Sequence, residues 1–386
     1  MSRYHTPEVL LLVMAFIMSL TFAVWNVLLN NFVIESAQFS GREIGILQSL
    51  REVPGFLAFT AIYLLLFIRE QKFAYLFLGV MSLGVIATGN FPSEYGLYLT
   101  TVIMSIGFHY FETVNQSLTL QWIGKDKAAY FMGKALSVKA AGSLLAYSLV
   151  WLLMEYFGVS YNFVYMLFGL IGFIAVVFIW LSFPQFAQPH IQHKKLILRK
   201  EYWIYYALTF LSGARRQIFI VFAGFMMVEK FSYTVSEISL LFIVNYLFNI
   251  MFAAKIGAWI GKVGERKALS VEYIGLIVVF LGYALVENGH FAAALYVIDH
   301  LFFAMAIASK SYLQKIADPK DLSATAGVSF TINHIAAVII PVVLGLLWLT
   351  SPQLVFYIGV LFAVCSLIIS QLIPRSPTQL VFSAAS

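Results

Sequence analysis

Between residues 9 and 373 the sequence is a series of apolar runs, most of them roughly 20 to 25 residues long, the length a helix needs to cross the hydrocarbon core of a bilayer. Charged or Pro/Gly punctuation separates twelve of them: 9–32, 44–68, 73–89, 97–122, 131–156, 163–183, 202–228, 238–260, 268–286, 292–316, 324–349 and 354–373. None alternates as a barrel strand would. Charged residues are only 11% of the chain and hydrophobic ones 61%, whereas a soluble domain carries about 25% charge. The expected fold is therefore an all-α polytopic membrane protein with twelve transmembrane helices. The one sizeable polar segment, 184–200, divides it into 1–183 and 201–386, with six spans each and no soluble domain. The opening MSRYHTPE leads into a run longer than a signal-peptide core and without a small-residue cleavage site, so the first span is expected to be kept.

Basic residues fix an orientation. Of the 24 Lys and Arg, only Arg42 and Lys230 fall in the odd-numbered connections, while the tails and even-numbered connections hold most of the rest. The positive-inside rule then places both termini in the cytoplasm, with the bacterial inner membrane as the expected location. Topology and anionic lipid account for the pI near 9.1, so a nucleic-acid partner is not expected. The lone Cys365 leaves no disulfide framework, and its expected role is packing.

The chain also repeats itself. Displaced by about 194 residues, Glu35 falls on Glu229, Glu43-Ile44 on Glu237-Ile238, Leu47 on Leu241 and Gly133 on Gly327. Six spans per copy keep both copies in the same membrane orientation, as parallel repeats about an axis along the membrane normal, and a binding site is expected between them.

After the eighth span the chain reads Gly257-Ala-Trp-Ile-Gly261-Lys262-Val-Gly264-Glu-Arg266-Lys267. Together with the doubled six-span plan, this loop resembles the signature of the major facilitator superfamily, and the resemblance covers essentially the whole chain. It implies two pseudo-symmetric six-helix bundles and secondary transport by alternating access, with Gly257, Gly261, Lys262, Gly264, Arg266 and Lys267 as a gating motif. On this reading the glycines allow close helix approach while the basic pair stays at the headgroups. Gly261 stands where the family has an acidic residue, and the equivalent loop around Arg69, Glu70 and Lys72 has lost the glycine spacing. The fifth span lacks the Gly-Pro pattern that resembles drug/proton antiporters.

Charges inside the spans carry the functional expectation. Arg215 and Arg216 lie in the middle of 202–228, where each guanidinium costs about 2.5 to 3.5 kcal/mol unless it meets water or an anionic partner. In the fourth span Ser105, His109, Glu112 and Gln116 fall within an arc of about 60°, a polar stripe expected to line a cavity or to bond neighbouring helices. The second span offers Arg51 and Glu52, adjacent and pointing about 100° apart, so they are not expected to neutralise each other directly and at least one is expected to find a partner on a neighbouring helix. Arg51 aligns with Asn245, one turn before Asn249; Lys139 aligns with Asn333, beside His334; Asn26 and Asn30 lie one turn apart in the first span. In the tenth span Asp299 and Lys310 share a face, with His300 beside Asp299, while Lys134, Lys255 and Lys310 can snorkel to the surface.

Among these, Arg51, Lys139, Arg215, Arg216 and Lys310 outnumber Glu52, Glu112 and Asp299, an excess that should focus an anion. Arg51, Lys139, Arg215, Arg216, Gln116, Asn26, Asn245, Asn249 and His334 are the candidate substrate contacts. Glu52, His109, Glu112, Asp299 and His300 are the candidates for proton coupling, with Glu112 and His109 first because burial and a nearby cation pull a carboxyl in opposite directions. The expected partners are a small organic or phosphorylated anion, protons and the bilayer, with the chain acting as a monomer. The 36 Phe and 21 Tyr leave an exporter of amphipathic compounds as the alternative. An enzyme is not expected: no HExxH, GxSxG, P-loop or Cys/His cluster occurs, no cofactor or metal is implied, and His190 and His193 read as a solvated basic loop. A non-transporting sensor is the remaining reading.

Overall fold

A computed structural model describes residues 5–123, 125–187, 198–317 and 322–374, and every regular element among them is helical. We number the spans α1 Pro7–Ala37, α2 Gly41–Phe56, α3 Glu70–Thr88, α4 Glu94–Trp122, α5 Lys125–Phe157, α6 Tyr161–Ser182, α7 Trp203–Gln217, α8 Val235–Val263, α9 Glu265–Leu285, α10 Gly289–Phe303, α11 Leu322–Trp348 and α12 Pro352–Ser370. The side chain of Asn249 and the histidines His190 and His193 lie outside the described residues.

Local chemistry sets the ends. The Thr6 hydroxyl accepts the Val9 N–H at 3.3 Å and Pro7 opens α1, where its missing N–H costs nothing. The aligned stretches 40–43 and 234–237 both form capping boxes. Glu43 accepts from the backbone N–H of Ser40 at 2.9 Å and from the Ser40 hydroxyl, and Glu237 accepts from the Thr234 N–H at 2.9 Å and its hydroxyl at 3.0 Å.

Three spans are interrupted. Pro54 lies within α2, which passes into a 3₁₀ turn at Leu57–Thr60 and a last helical turn, Ala61–Leu64. After α7 the chain widens into a π-helical stretch, Ile218–Ala223, before Gly224–Glu229 completes the span. A 3₁₀ turn at Ala304–Ala306 separates α10 from Ile307–Ile316. Nine helical segments among the described residues are long and apolar enough to cross a membrane; α2 and α10, interrupted at 16 and 15 residues, are too short to count, and α4, at 29 residues, is too polar.

Chain contacts define two units. Unit 1 comprises Met1–Phe39, Leu50–His193 and Tyr233–Ile243. Here α3 packs on α4 so closely that a Cβ at Gly107 would strike the Met81 backbone, and Asn31 of α1 donates to the Tyr233 carbonyl at 2.7 Å. Unit 2 comprises Ser40–Ser49, Lys194–Ser232 and Val244–Ser386. Within it the first turns of α2 lie against α11, where Gly45 meets Gly345 and the Pro341 carbonyl with no room for a Cβ.

Each unit repeats one clamp. Glu70, the first residue of α3, accepts from Gln121 at 2.7 Å and Ser117 at 3.4 Å near the end of α4, while Gln71 donates to the Pro184 carbonyl at 2.9 Å and accepts from the Phe186 N–H at 2.8 Å. In unit 2, Glu265 opens α9 and accepts from Ser311 at 2.7 Å and Lys315 at 2.6 Å, and Arg266 donates to Gln371 at 3.1 Å and to the Ile373 carbonyl at 3.4 Å.

Candidate functional site

In unit 1, Arg51 folds back on its own neighbour: Nη2 lies 2.6 Å and Nε 3.1 Å from Glu52 Oε1. The expectation that adjacent helical positions keep these groups apart is thus wrong. A 100° step separates Cβ directions, but the long guanidinium stem spans it, and both side chains are buried where an uncompensated charge would be costly. The Ser105 hydroxyl donates to the Arg51 carbonyl, tying α4 to α2.

The polar stripe on α4 grades from buried to open. Ser105 and His109 are buried, Glu112 is half-buried and Gln116 is exposed. Glu112 receives Lys139 Nζ of α5 at 2.6 Å, and these side chains keep 30% and 28% of their exposure, against 11% and 9% for Glu52 and Arg51. A charge pair exposed to lipid would be costly, so the open side of this pair belongs to water. Asn26 is half-buried on α1, one face away from the buried Trp25, whose indole N–H has no hydrogen-bond partner among the described residues.

In unit 2 the arginine pair splits. Arg215 is buried and Arg216 exposed, so only one of these two candidate substrate contacts is sealed inside the protein. Arg215 donates to Ser366 of α12, stacks its guanidinium 4.5 Å over the Tyr273 ring and lies 3.7 Å from Glu272 Oε1, both on α9. Glu272 escaped the sequence reading although its signal was plain: an acid inside the apolar run 268–286. Counting it against Arg51, Lys139, Arg215, Arg216 and Lys310 leaves only one cation in excess among these groups, rather than two. The π-helical stretch that starts immediately after Gln217 is the other missed feature, and such turns recur at functional sites.

Asp299 of α10 is buried beside this cluster, and among the described residues its Oδ2 has no hydrogen-bond partner; nor do Glu272 Oε2 and Arg215 Nε. Arg215, Arg216, Glu272 and Asp299 line a small cavity of about 20 Å³, closed by Phe219 and Phe280. That is room for about one water molecule. His300 is half-buried, its ring 6.2 Å from that of Phe219. The expected common face of Asp299 and Lys310 does not form: the 3₁₀ turn between them resets the angle, leaving Asp299 buried and Lys310 exposed. Lys255 is likewise exposed, 5.3 Å from the Phe252 ring centre, as snorkelling requires.

Asn245 is buried on α8, with neither amide atom bonded among the described residues. His334 is buried on α11, its Nδ1 2.8 Å from the Phe330 carbonyl and its ring 4.1 Å from the Phe330 ring. The glycines of the signature loop do not serve close packing among the described residues: a Cβ at Gly257 or Gly261 would meet nothing within 4 Å. Gly264 is needed for its backbone, with φ at 84° just before α9. Lys262 and Lys267 are exposed, and Arg266 belongs to the clamp on the end of α12.

Residues 205–385 match the family model described as Major Facilitator Superfamily. Over 252 residues the chain is 23% identical to an MFS-type transporter of Methanocaldococcus jannaschii, named as uncharacterized; the match covers 61% of this chain and spans 62% of that relative's length. Among solved structures, a mutant of the nucleoside transporter NupG aligns with 95% of this chain and 99% of its own at a TM-score of 0.79 and 15% identity. A bacterial homolog of the human lysosomal transporter Spinster, inward-facing and unoccupied, aligns over 99% and 98% with a TM-score of 0.72 and 13% identity. A POT family transporter in complex with 5-aminolevulinic acid aligns over 98% and 96%, at 0.73 and 12%. At these identities the solved structures establish the fold alone.

Proposed function

We propose that this chain is a proton-coupled secondary transporter of the major facilitator superfamily that moves a small organic anion by alternating access. The observation that carries the anion reading is the Lys139–Glu112 pair, the more open of the interior ion pairs at 2.6 Å. Arg51 and Arg215 are each engaged by a buried carboxylate, so the role first expected of the arginines passes to Lys139. A carboxylate or phosphate arriving at Lys139 competes with Glu112 for the ammonium group. A proton taken up by Glu112 removes that competition, so anion and proton bind together. His109 lies one turn before Glu112 on α4 and stands in line to relay the proton. The chain works as a single polypeptide in the bacterial inner membrane with both termini cytoplasmic, as the distribution of basic residues supports.

A neutral polar solute is the second reading. The buried Asn245 side chain, with both amide atoms unbonded, could serve hydroxyl groups of such a molecule. Uptake into proteoliposomes under an imposed proton gradient, with carboxylates, phosphates, nucleosides and sugars as the panel, separates the two. The expected result is accumulation of an anion that is lost in Lys139→Ala and kept in part by Lys139→Arg. Accumulation of a neutral solute with Lys139→Ala unaffected overturns the anion reading. If Glu112→Gln concentrates substrate with an unchanged proton dependence, the coupling role of Glu112 fails.

A further inference from the structure

The buried cluster of unit 2 has a charge imbalance of its own. Arg215 is the one fully buried guanidinium at a cavity that two carboxylates, Glu272 and Asp299, also line, and all three side chains are at least nine-tenths buried. Arg215 is already committed to Ser366, to the Tyr273 ring and to Glu272. Asp299 presents an oxygen without a partner among the described residues at a cavity the size of one water molecule, which Glu272 also lines. Two ionised carboxylates sharing one cation at this depth would leave a net negative charge in a low-dielectric interior, and like charges at close quarters do not both stay ionised. The other titratable or charged groups around the cluster are Arg216 on α7, Tyr273 and Tyr283 on α9, and Tyr296 and His300 on α10. Arg216 also lines the cavity but is exposed, where water screens it.

We propose that Glu272 and Asp299 hold a single exchangeable proton, seated on Asp299, and that this buried carboxyl is a second proton-binding site of the protein, separate from Glu112. Loading takes a proton from a hydronium ion onto the Asp299 carboxylate and leaves water; unloading reverses it. Arg215 acts as a positioning residue that keeps Glu272 ionised and so directs the proton to Asp299. Asp299 Oδ2 then becomes the hydroxyl, able to donate across the cavity to the free Glu272 Oε2, which satisfies both unbonded atoms at once. The use of this proton in transport rests on the reading above; its presence does not.

Infrared difference spectroscopy of the purified full chain in lipid, titrated in pH without substrate, tests it. The expected result is a protonated-carboxyl carbonyl band that disappears on alkalinisation, is absent in Asp299→Asn, and persists in Glu112→Gln. Should Asp299→Asn fail to fold, Glu272→Gln serves: with one carboxylate left for Arg215, the band should vanish at a lower pH than in the parent. No such band at any pH, or a band unchanged in both Asp299→Asn and Glu272→Gln, overturns the proposal. So does loss of the band on adding sodium chloride at constant pH, against a choline chloride control, because sodium would then be the neutralising ion. Proteoliposome uptake separates this from the transport reading: a positive infrared result with no uptake of any solute would sink that reading and leave the proton site standing.

Discussion

Lys139–Glu112 in unit 1 and Arg215–Glu272 in unit 2 are both interior ion pairs between neighbouring helices, yet their surroundings differ. The first keeps close to a third of its side-chain exposure and joins two groups at 2.6 Å. The second is sealed at 4% and 6%, holds its charges 3.7 Å apart, and adds a second buried acid. The lesson is that solvent access, not residue type, decides what an intramembrane charge can do. An open pair can exchange partners with a solute, whereas a closed one can change only its proton count.

That contrast can be broken by experiment. The largest effect is expected from Arg215→Ala, which strands the Glu272 carboxylate without its buried cation and should cost about 3 to 5 kcal/mol in thermal or denaturant unfolding of detergent-solubilised protein. Lys139→Ala should lower stability by no more than about 1 kcal/mol while reducing uptake by about tenfold or more. Equal stability losses in the two variants would remove the distinction. Gly45→Leu forces a side chain into the contact with Gly345 and the Pro341 carbonyl, and overpacking of that kind costs about 1 to 3 kcal/mol. An unchanged unfolding transition would show that this helix contact yields easily.

The capping boxes give smaller, paired effects. Ser40→Ala and Thr234→Ala should each cost about 1 kcal/mol, and a marked inequality would show that the repeat is not matched in energy. At Glu43, in the capping box that opens α2 ahead of the apolar run 44–68, burial pushes the carboxyl up, but hydrogen bonds from Ser40 and its own backbone N–H, with the Arg42 charge, carry it below its ordinary value. A depressed folded-state value means the stabilisation is present above the unfolded-state value and fades as pH falls through the folded one. Glu43→Gln should therefore be slightly less stable than the parent at neutral pH, with the gap closing in acid; a constant gap would assign the effect to shape alone.

Much of this was legible in the chain. The apolar runs of α1, α6 and α12 are long, uninterrupted and unambiguous, and the alignment of Glu43 with Glu237 pointed to a repeat whose physical content turned out to be a pair of capping boxes. The helical-angle estimate kept Ser105, His109, Glu112 and Gln116 on one face because α4 is an unbroken helix. It failed for Asp299 and Lys310, where a 3₁₀ turn intervenes. Glu272 could have been found by asking of every span, rather than only the most polar ones, which acid it contains.

What the sequence determined by itself is the solvent: so apolar a chain, with charges at so few interior positions and no alternating strand pattern, satisfies its backbone in a bilayer as helices. What only the tertiary structure decided is the pairing of those charges. Arg51 reaching its own neighbour, Lys139 meeting Glu112, and Arg215 turning to Glu272 while Arg216 faces out depend on side-chain reach and on burial between helices far apart in the chain. Periodicity encodes the direction of a Cβ; it does not encode which charges the packing seals from water.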